Sequence, residues 1–241
     1  MYKIAIIVPA YNEEKTIQSV VEDINALDLG ENLILKVVVV NDCSSDSTSL
    51  VASELNCVVL DLPVNLGIGG AVQTGYKYAY DNDFDFAIQV DGDGQHPPSE
   101  IPKLISTITG SNCDVVIGSR FIDNKGFQSS FMRRTGINFF KVLLKILSGI
   151  KINDPTSGFR ILNRRALELV YNYYPDEYPE PEALIIYKYH HLTITETPVE
   201  MQERKGGTSS IKGFSGLYYM IKVSIAIFFT YIKLKFRKWK M

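Results

Sequence analysis

Through the first half of the chain, unbroken runs of Val, Ile and Leu alternate with stretches in which apolar residues return every three or four positions. KIAIIVPA has no polar residue after Lys3, the pattern of a strand covered on both faces. EEKTIQSVVEDINAL follows, with Ile17, Val20, Val21, Ile24 and Leu27 on one helical stripe. The alternation then repeats. LKVVVVND reads as a strand and SSDSTSLVASEL as a helix opening with Ser and Asp caps. CVVLDLP, FDFAIQVDGD and CDVVIGSRF read as further strands, with GGAVQTGYKYAYD and PSEIPKLISTIT as the helices between them. This order predicts an α/β fold: a doubly wound, mostly parallel sheet with helices on both faces.

In such a sheet ligands bind beyond the carboxyl ends of the strands, and there the polar residues collect. Pro9, Tyr11, Asn12 and Glu13 follow the first strand, Asn41 and Asp42 the second, Asn65 and Gly67 the third, Asp91 and Asp93 the fourth, Ser119 and Arg120 the fifth. Singly, each has an ordinary explanation: Asp42 and Ser44 can cap a helix, and NLGIGG can be a turn. Together they predict one crevice. Within VDGDGQ the carboxylates of Asp91 and Asp93 are hard oxygen donors suited to Mg2+ or Mn2+, ions that share their coordination with substrate phosphates. The expected assembly is a metal–diphosphate clamp, with Gly92 letting phosphate or sugar approach the backbone and Gln95 as a neutral oxygen donor. A surface Asx turn capping the next helix is the competing reading.

Composition adds scale and an asymmetry. The 241 residues, 46% hydrophobic, suffice for one sizeable domain. The net charge is −2, yet Arg204 to Met241 holds nine Lys and Arg and no acid, leaving 16 basic against 27 acidic groups before it. Inside this basic arm LYYMIKVSIAIFFTYI is mostly apolar. A spanning helix needs roughly 20 apolar residues, whereas the uncharged run between Lys222 and Lys233 has ten. The division expected is a sheet domain over 1–210 and a C-terminal helix over 211–241. That helix is expected to lie on an anionic membrane surface or a small membrane partner; the alternative is packing on the core with a solvated basic end. A second such segment is 131–147, FMRRTGINFFKVLLKIL, which reads equally as an interfacial helix or as a core helix with a basic edge. Self-pairing of these apolar helices would make a homo-oligomer, and no nucleic-acid partner is expected.

Cys43, Cys57 and Cys113 are widely spaced, form no CxxC pair, and suit a reducing compartment. Met1 runs directly into a strand and not into a secretory leader. His96, His190 and His191 read as structural, and Tyr173, Tyr174, Tyr178 and Tyr187 around PDEYPEPEALIIY carry no assigned role.

VPAYNEE (8–14), VNDCSSDST (40–48), NLGIGGAVQTGY (65–76), VDGDGQHPP (90–98), GSRF (118–121), DPTSGFR (154–160) and ERKGGTSS (203–210) occur in an order that resembles the inverting family 2 glycosyltransferases of the GT-A fold. The set is most similar to the dolichol-phosphate or polyprenyl-phosphate sugar synthase branch and covers roughly residues 3–212. The resemblance implies a nucleotide-sugar donor, a divalent cation and work at the cytoplasmic membrane face. Carried over residue by residue, it implies that Pro9, Tyr11 and Glu13 hold the nucleotide and Asp42 its base or ribose. Asp91 and Gly92 would contact the donor, Asp93 and Gln95 (with Asp91) the metal, and Arg120 a phosphate. Arg204 with Ser209 or Ser210 would close over the donor. Many relatives have Lys where Ser210 stands, so a cationic contact is missing or comes from Lys205 or Lys212.

Inverting transfer to a hydroxyl needs a base, whereas a phosphate acceptor arrives ionised and needs cationic positioning. Arg120, Arg133, Arg134 and Arg160 are candidates for that positioning. Asp154 is the candidate base for a hydroxyl, or else belongs to an Asp-Pro turn. The expected activity is sugar transfer to a polyprenyl phosphate. Alternatives are transfer to a hydroxyl of a polysaccharide or lipid-linked glycan and, more distantly, a nucleotidyltransferase or a nucleotide-sugar sensor. VPAYNEE lacks the Gly-rich basic run of a nucleotidyltransferase.

Overall fold

Strands covered on both sides need unbroken apolar runs, and β1 (Tyr2–Ala10) shows it: every residue from Ile4 to Ala10 is buried. The computed structural model describes residues 1–30, 32–123, 125–127, 131–177, 179–203 and 214–237, at 131–133, 214–217 and 237 the backbone alone. These residues form a seven-stranded sheet in the order β3-β2-β1-β4-β6-β5-β7. Its other strands are β2 (Leu33–Asn41), β3 (Val58–Asp61), β4 (Phe86–Gln89), β5 (Val115–Ser119), β6 (Arg160–Asn163) and β7 (Ile194–Pro198). The helices are α1 (Ile17–Asn25), α2 (Thr48–Ser53), α3 (Gly67–Asp81), α4 (Ile101–Gly110), α5 (Phe131–Ser148), α6 (Arg164–Asn172), α7 (Pro179–Tyr189) and α8 (Phe214–Arg237).

The two-residue period of a strand sends alternate side chains to opposite layers. Ile4, Ile6 and Val8 pack with Ile17, Val21 and Ile24 of α1 and with Leu104 and Ile108 of α4. Ala5 and Ile7 face Val72 and Tyr76 of α3, in a layer completed by Leu167 of α6, Leu184 and Tyr187 of α7, Phe140 and Leu144 of α5, and Val223 and Ile227 of α8. The α3 helix sits directly on β1, because a Cβ at Gly75 would overlap the Ile7 side chain.

The five predicted strands are β1 to β5, and two more exist. β6 is four residues bounded by Arg160 and Asn163, and β7 alternates with Thr and Glu, so neither carries the apolar run that marks the others. β6 runs antiparallel between β4 and β5, with Arg160 opposite both Gln89 and Ile117. Its reversed direction brings the preceding segment, 154–159, to the carboxyl ends of the parallel strands.

Candidate active site

The loops after β1 and β2 are tied to each other at the sheet edge. Asp42 N–H donates to the Ala10 carbonyl at 2.9 Å, Asn12 N–H to Ser44 Oγ at 2.9 Å, and Glu13 N–H to Thr48 Oγ1 at 2.8 Å. Asn12 adopts φ 56°, a left-handed conformation that Asn tolerates, and its side-chain oxygen accepts from Ser45 N–H at 2.8 Å. Asp42 is 4% exposed, and its Oδ1 accepts the Leu66 N–H at 2.6 Å, holding the start of α3 against the crevice. Leu66 is the N-cap residue of α3, so Asp42 anchors the residue before the helix and does not cap its first turn. Pro9 is buried within β1, Glu13 is half-buried, and Tyr11 is 51% exposed at the rim.

β4 ends at Gln89, and the two acids follow in a tightly braced turn. Asp93 is 4% exposed and its Oδ1 accepts the Gln95 N–H at 2.9 Å, so an Asx turn exists here alongside any ligand role. Gly94, at φ 77°, makes the turn possible. Asp91 is more open. Its N–H donates to His96 Nδ1 at 3.0 Å and its Oδ1 accepts from Gln89 Nε2 at 3.1 Å. Thr16 joins the first and fourth loops: its Oγ1 donates to the Gly92 carbonyl at 2.8 Å and lies 3.0 Å from Glu13 Oε2. Gln95 is half-buried, and its carbonyl accepts from Gln202 N–H at 3.1 Å.

Asp91, Asp93 and Gln95 offer the oxygen chemistry that Mg2+ or Mn2+ takes. Among the described residues no three His, Cys, Asp or Glu side chains form a metal cage. The donor set fits an ion that draws the rest of its coordination from a bound diphosphate and solvent.

Two predicted roles are corrected by burial. Asp154, the candidate base, is 0% exposed; its Oδ2 and Oδ1 accept from Arg120 Nε at 2.7 Å and Arg120 Nη2 at 2.8 Å. A carboxylate locked into a bidentate pair inside the protein does not face an acceptor. Arg160, a candidate phosphate ligand, is also 0% exposed, with Nε donating to the Ser157 carbonyl at 2.7 Å and Nη2 to those of Pro155 at 3.1 Å and Glu180 at 2.8 Å. It braces the 154–160 loop and has no route to a lipid phosphate. Arg120 is at the crevice but commits its Nε–Nη2 edge to Asp154. Arg134 is exposed on α5. The Arg133 side chain and Arg204, Ser209 and Ser210 lie outside the described residues, as does Tyr178.

The Glycosyl transferase family 2 model matches residues 5–170. The chain belongs to this family. A UDP-N-acetylglucosamine–dolichyl-phosphate N-acetylglucosaminyltransferase of Methanococcus voltae is 29% identical over 246 residues, covering 92% of this chain and 96% of that protein. A dolichol-phosphate mannosyltransferase of Pyrococcus furiosus is 32% identical over 228 residues, covering 90% of this chain and 62% of that protein. Among solved structures, glucosyl-3-phosphoglycerate synthase from Mycobacterium tuberculosis, in complex with Mn2+, UDP and phosphoglyceric acid, superposes with a TM-score of 0.71 at 22% identity, covering 95% of this chain and 78% of that one. The glycosyltransferase therefore has the GT-A fold. Sequence reasoning missed Thr16 and Gln89 in its crevice: a threonine before an amphipathic helix reads as a cap, and a lone glutamine inside an apolar strand gives no periodic signal.

Proposed function

We propose that this glycosyltransferase moves a sugar, with inversion, from a nucleotide-diphosphate sugar to a polyprenyl phosphate at the cytoplasmic face of the membrane. Family membership and the names of its relatives support the reaction class. The observation that carries the choice of acceptor is the internal pairing of Asp154. A hydroxyl acceptor must lose its proton to a base, and the carboxylate that the sequence offers for that task is committed to Arg120. A phosphate monoester, with a second pKa of about 6, is already an anion near neutral pH and needs none. Arg120, Arg133 and Arg134 are the cations proposed to orient it.

Pro9, Tyr11, Glu13 and Asp42 are proposed to hold the nucleotide, with Arg204 and Ser209 or Ser210 closing over it. Mg2+ or Mn2+, held by Asp91, Asp93 and Gln95, would neutralise charge on the departing nucleoside diphosphate; the Mn2+ and UDP in the fold neighbour support that assignment. Residues 211–241 are proposed as the membrane-association element. Ile221, Ile225, Phe228, Phe229 and Phe236 of α8 and Phe139, Val142 and Ile146 of α5 are exposed, with Lys145, Lys233 and Lys235 on the same two helices. Among the described residues no helix is long and apolar enough to cross a membrane, so association would be interfacial.

The test follows nucleoside diphosphate release from UDP-, GDP- and dTDP-sugars, with Mn2+ or Mg2+, with and without short-chain polyprenyl phosphate. Release from one donor that requires the lipid phosphate, and disappears on chelation or in Asp93→Ala, is expected. Turnover that ignores lipid phosphate and responds to a sugar hydroxyl instead would overturn the acceptor assignment.

A further inference from the structure

Gln89 is out of place by the logic of its strand. β4 otherwise supplies Phe86, Ala87 and Ile88 to the core, and Gln89 is 1% exposed. A buried amide is unfavourable unless it is hydrogen-bonded. Among the described residues its oxygen is buried without a hydrogen-bond partner, while its Nε2 donates to Asp91 Oδ1 at 3.1 Å. The chain has been shaped around that contact: a Cβ on Gly158 would stand 2.6 Å from Gln89 Nε2 and 3.6 Å from Asp91 Oδ1. Only a residue without a side chain lets the 154–160 loop close over the pair.

The neighbouring residue of that loop supports Asp91 from its other side. The His96 ring stacks on Phe159 with centroids 4.9 Å apart and planes 14° apart, and its Nδ1 accepts the Asp91 N–H at 3.0 Å. With Nδ1 as acceptor the ring proton belongs on Nε2, which is 3.7 Å from Asp91 Oδ2, beyond hydrogen-bonding reach. The histidine thus grips the backbone of Asp91 and the glutamine its carboxylate, each backed by Gly158 or Phe159. We propose that Gln89 and His96 are positioning residues that set the Asp91 carboxylate for the cation–diphosphate group. This rests on the reading of Asp91 and Asp93 as donor-site ligands. Neither residue touches substrate; both act through Asp91, as partners of a ligating carboxylate do.

The experiment measures Mn2+ bound by the full chain in the presence of UDP and, in parallel, GDP, from the electron paramagnetic resonance signal of free Mn2+. Gln89→Met keeps the volume and removes the donor. It is expected to weaken Mn2+ binding about tenfold or more, with the unliganded melting temperature within a few degrees of the parent. His96→Asn, which keeps an acceptor near the Nδ1 position, should bind Mn2+ better than His96→Leu, which has none; this pair serves if Gln89→Met does not fold. Unchanged Mn2+ affinity in Gln89→Met, or equal affinity in the two His96 variants, while Asp93→Ala abolishes binding, would overturn the positioning role alone. Unchanged binding in Asp93→Ala would overturn the site reading with it.

Discussion

A buried arginine is tolerated when its charge and its donors are met inside the protein. Arg120 meets this with the Asp154 carboxylate, whereas Arg160 places Nε and Nη2 on three backbone carbonyls and, among the described residues, leaves Nη1 buried without a hydrogen-bond partner. The sequence presents both, with Asp154, as polar residues in loop motifs. Such residues are normally solvated, which is why the sequence suggests a phosphate on Arg160 and a proton on Asp154. Asp154→Asn tests the distinction. It leaves a buried guanidinium without its counter-charge and is expected to lower the unfolding free energy by about 3 kcal/mol, measured by urea denaturation. A residue acting only as a base would lose activity with stability unchanged.

At the scale of the element, α8 is apolar on two faces. Val223, Ile227 and Leu234 form the inner stripe, 2%, 0% and 9% exposed, while Ile225 and Phe229 on the outer side are 51% and 64% exposed. Thr230 donates to Glu182 Oε1 at 2.6 Å and Lys222 pairs with Glu177, so α8 is tied to α7 and its preceding loop by polar contacts too. Helices apolar all round are buried or covered, which is the basis for assigning a lipid surface to the outer stripe. The two stripes should separate by experiment. Ile227→Ala is expected to cost about 2–4 kcal/mol of stability. Phe229→Glu should change stability by less than about 0.5 kcal/mol yet reduce co-sedimentation with vesicles containing anionic lipid. Equal sedimentation of parent and Phe229→Glu would remove the membrane assignment for this face.

The whole molecule carries a pH dependence from the same contact. Burial raises the Glu182 carboxyl above its ordinary 4.5, against the lowering effect of the Thr230 hydroxyl. Between the unfolded and folded pKa values the native state holds more protons than the unfolded state, so this group's contribution to stability falls as pH rises from 4.5 toward the folded value. Glu182→Gln abolishes the titration. Urea unfolding at about pH 4 and about pH 7 should show the parent losing more stability than the variant between the two. By itself the sequence determined the five parallel strands, their intervening helices and the acidic turn after β4, because burial on two faces writes an unbroken apolar run and a strand's end is marked by where that run stops. The tertiary structure alone decided which polar residues look outward. The Arg120–Asp154 pair joins positions 34 apart and exists because β6 enters the sheet antiparallel, a pairing that no local period encodes. Likewise, which stripe of α8 is core was settled by docking against α7, since both stripes are equally apolar along the chain.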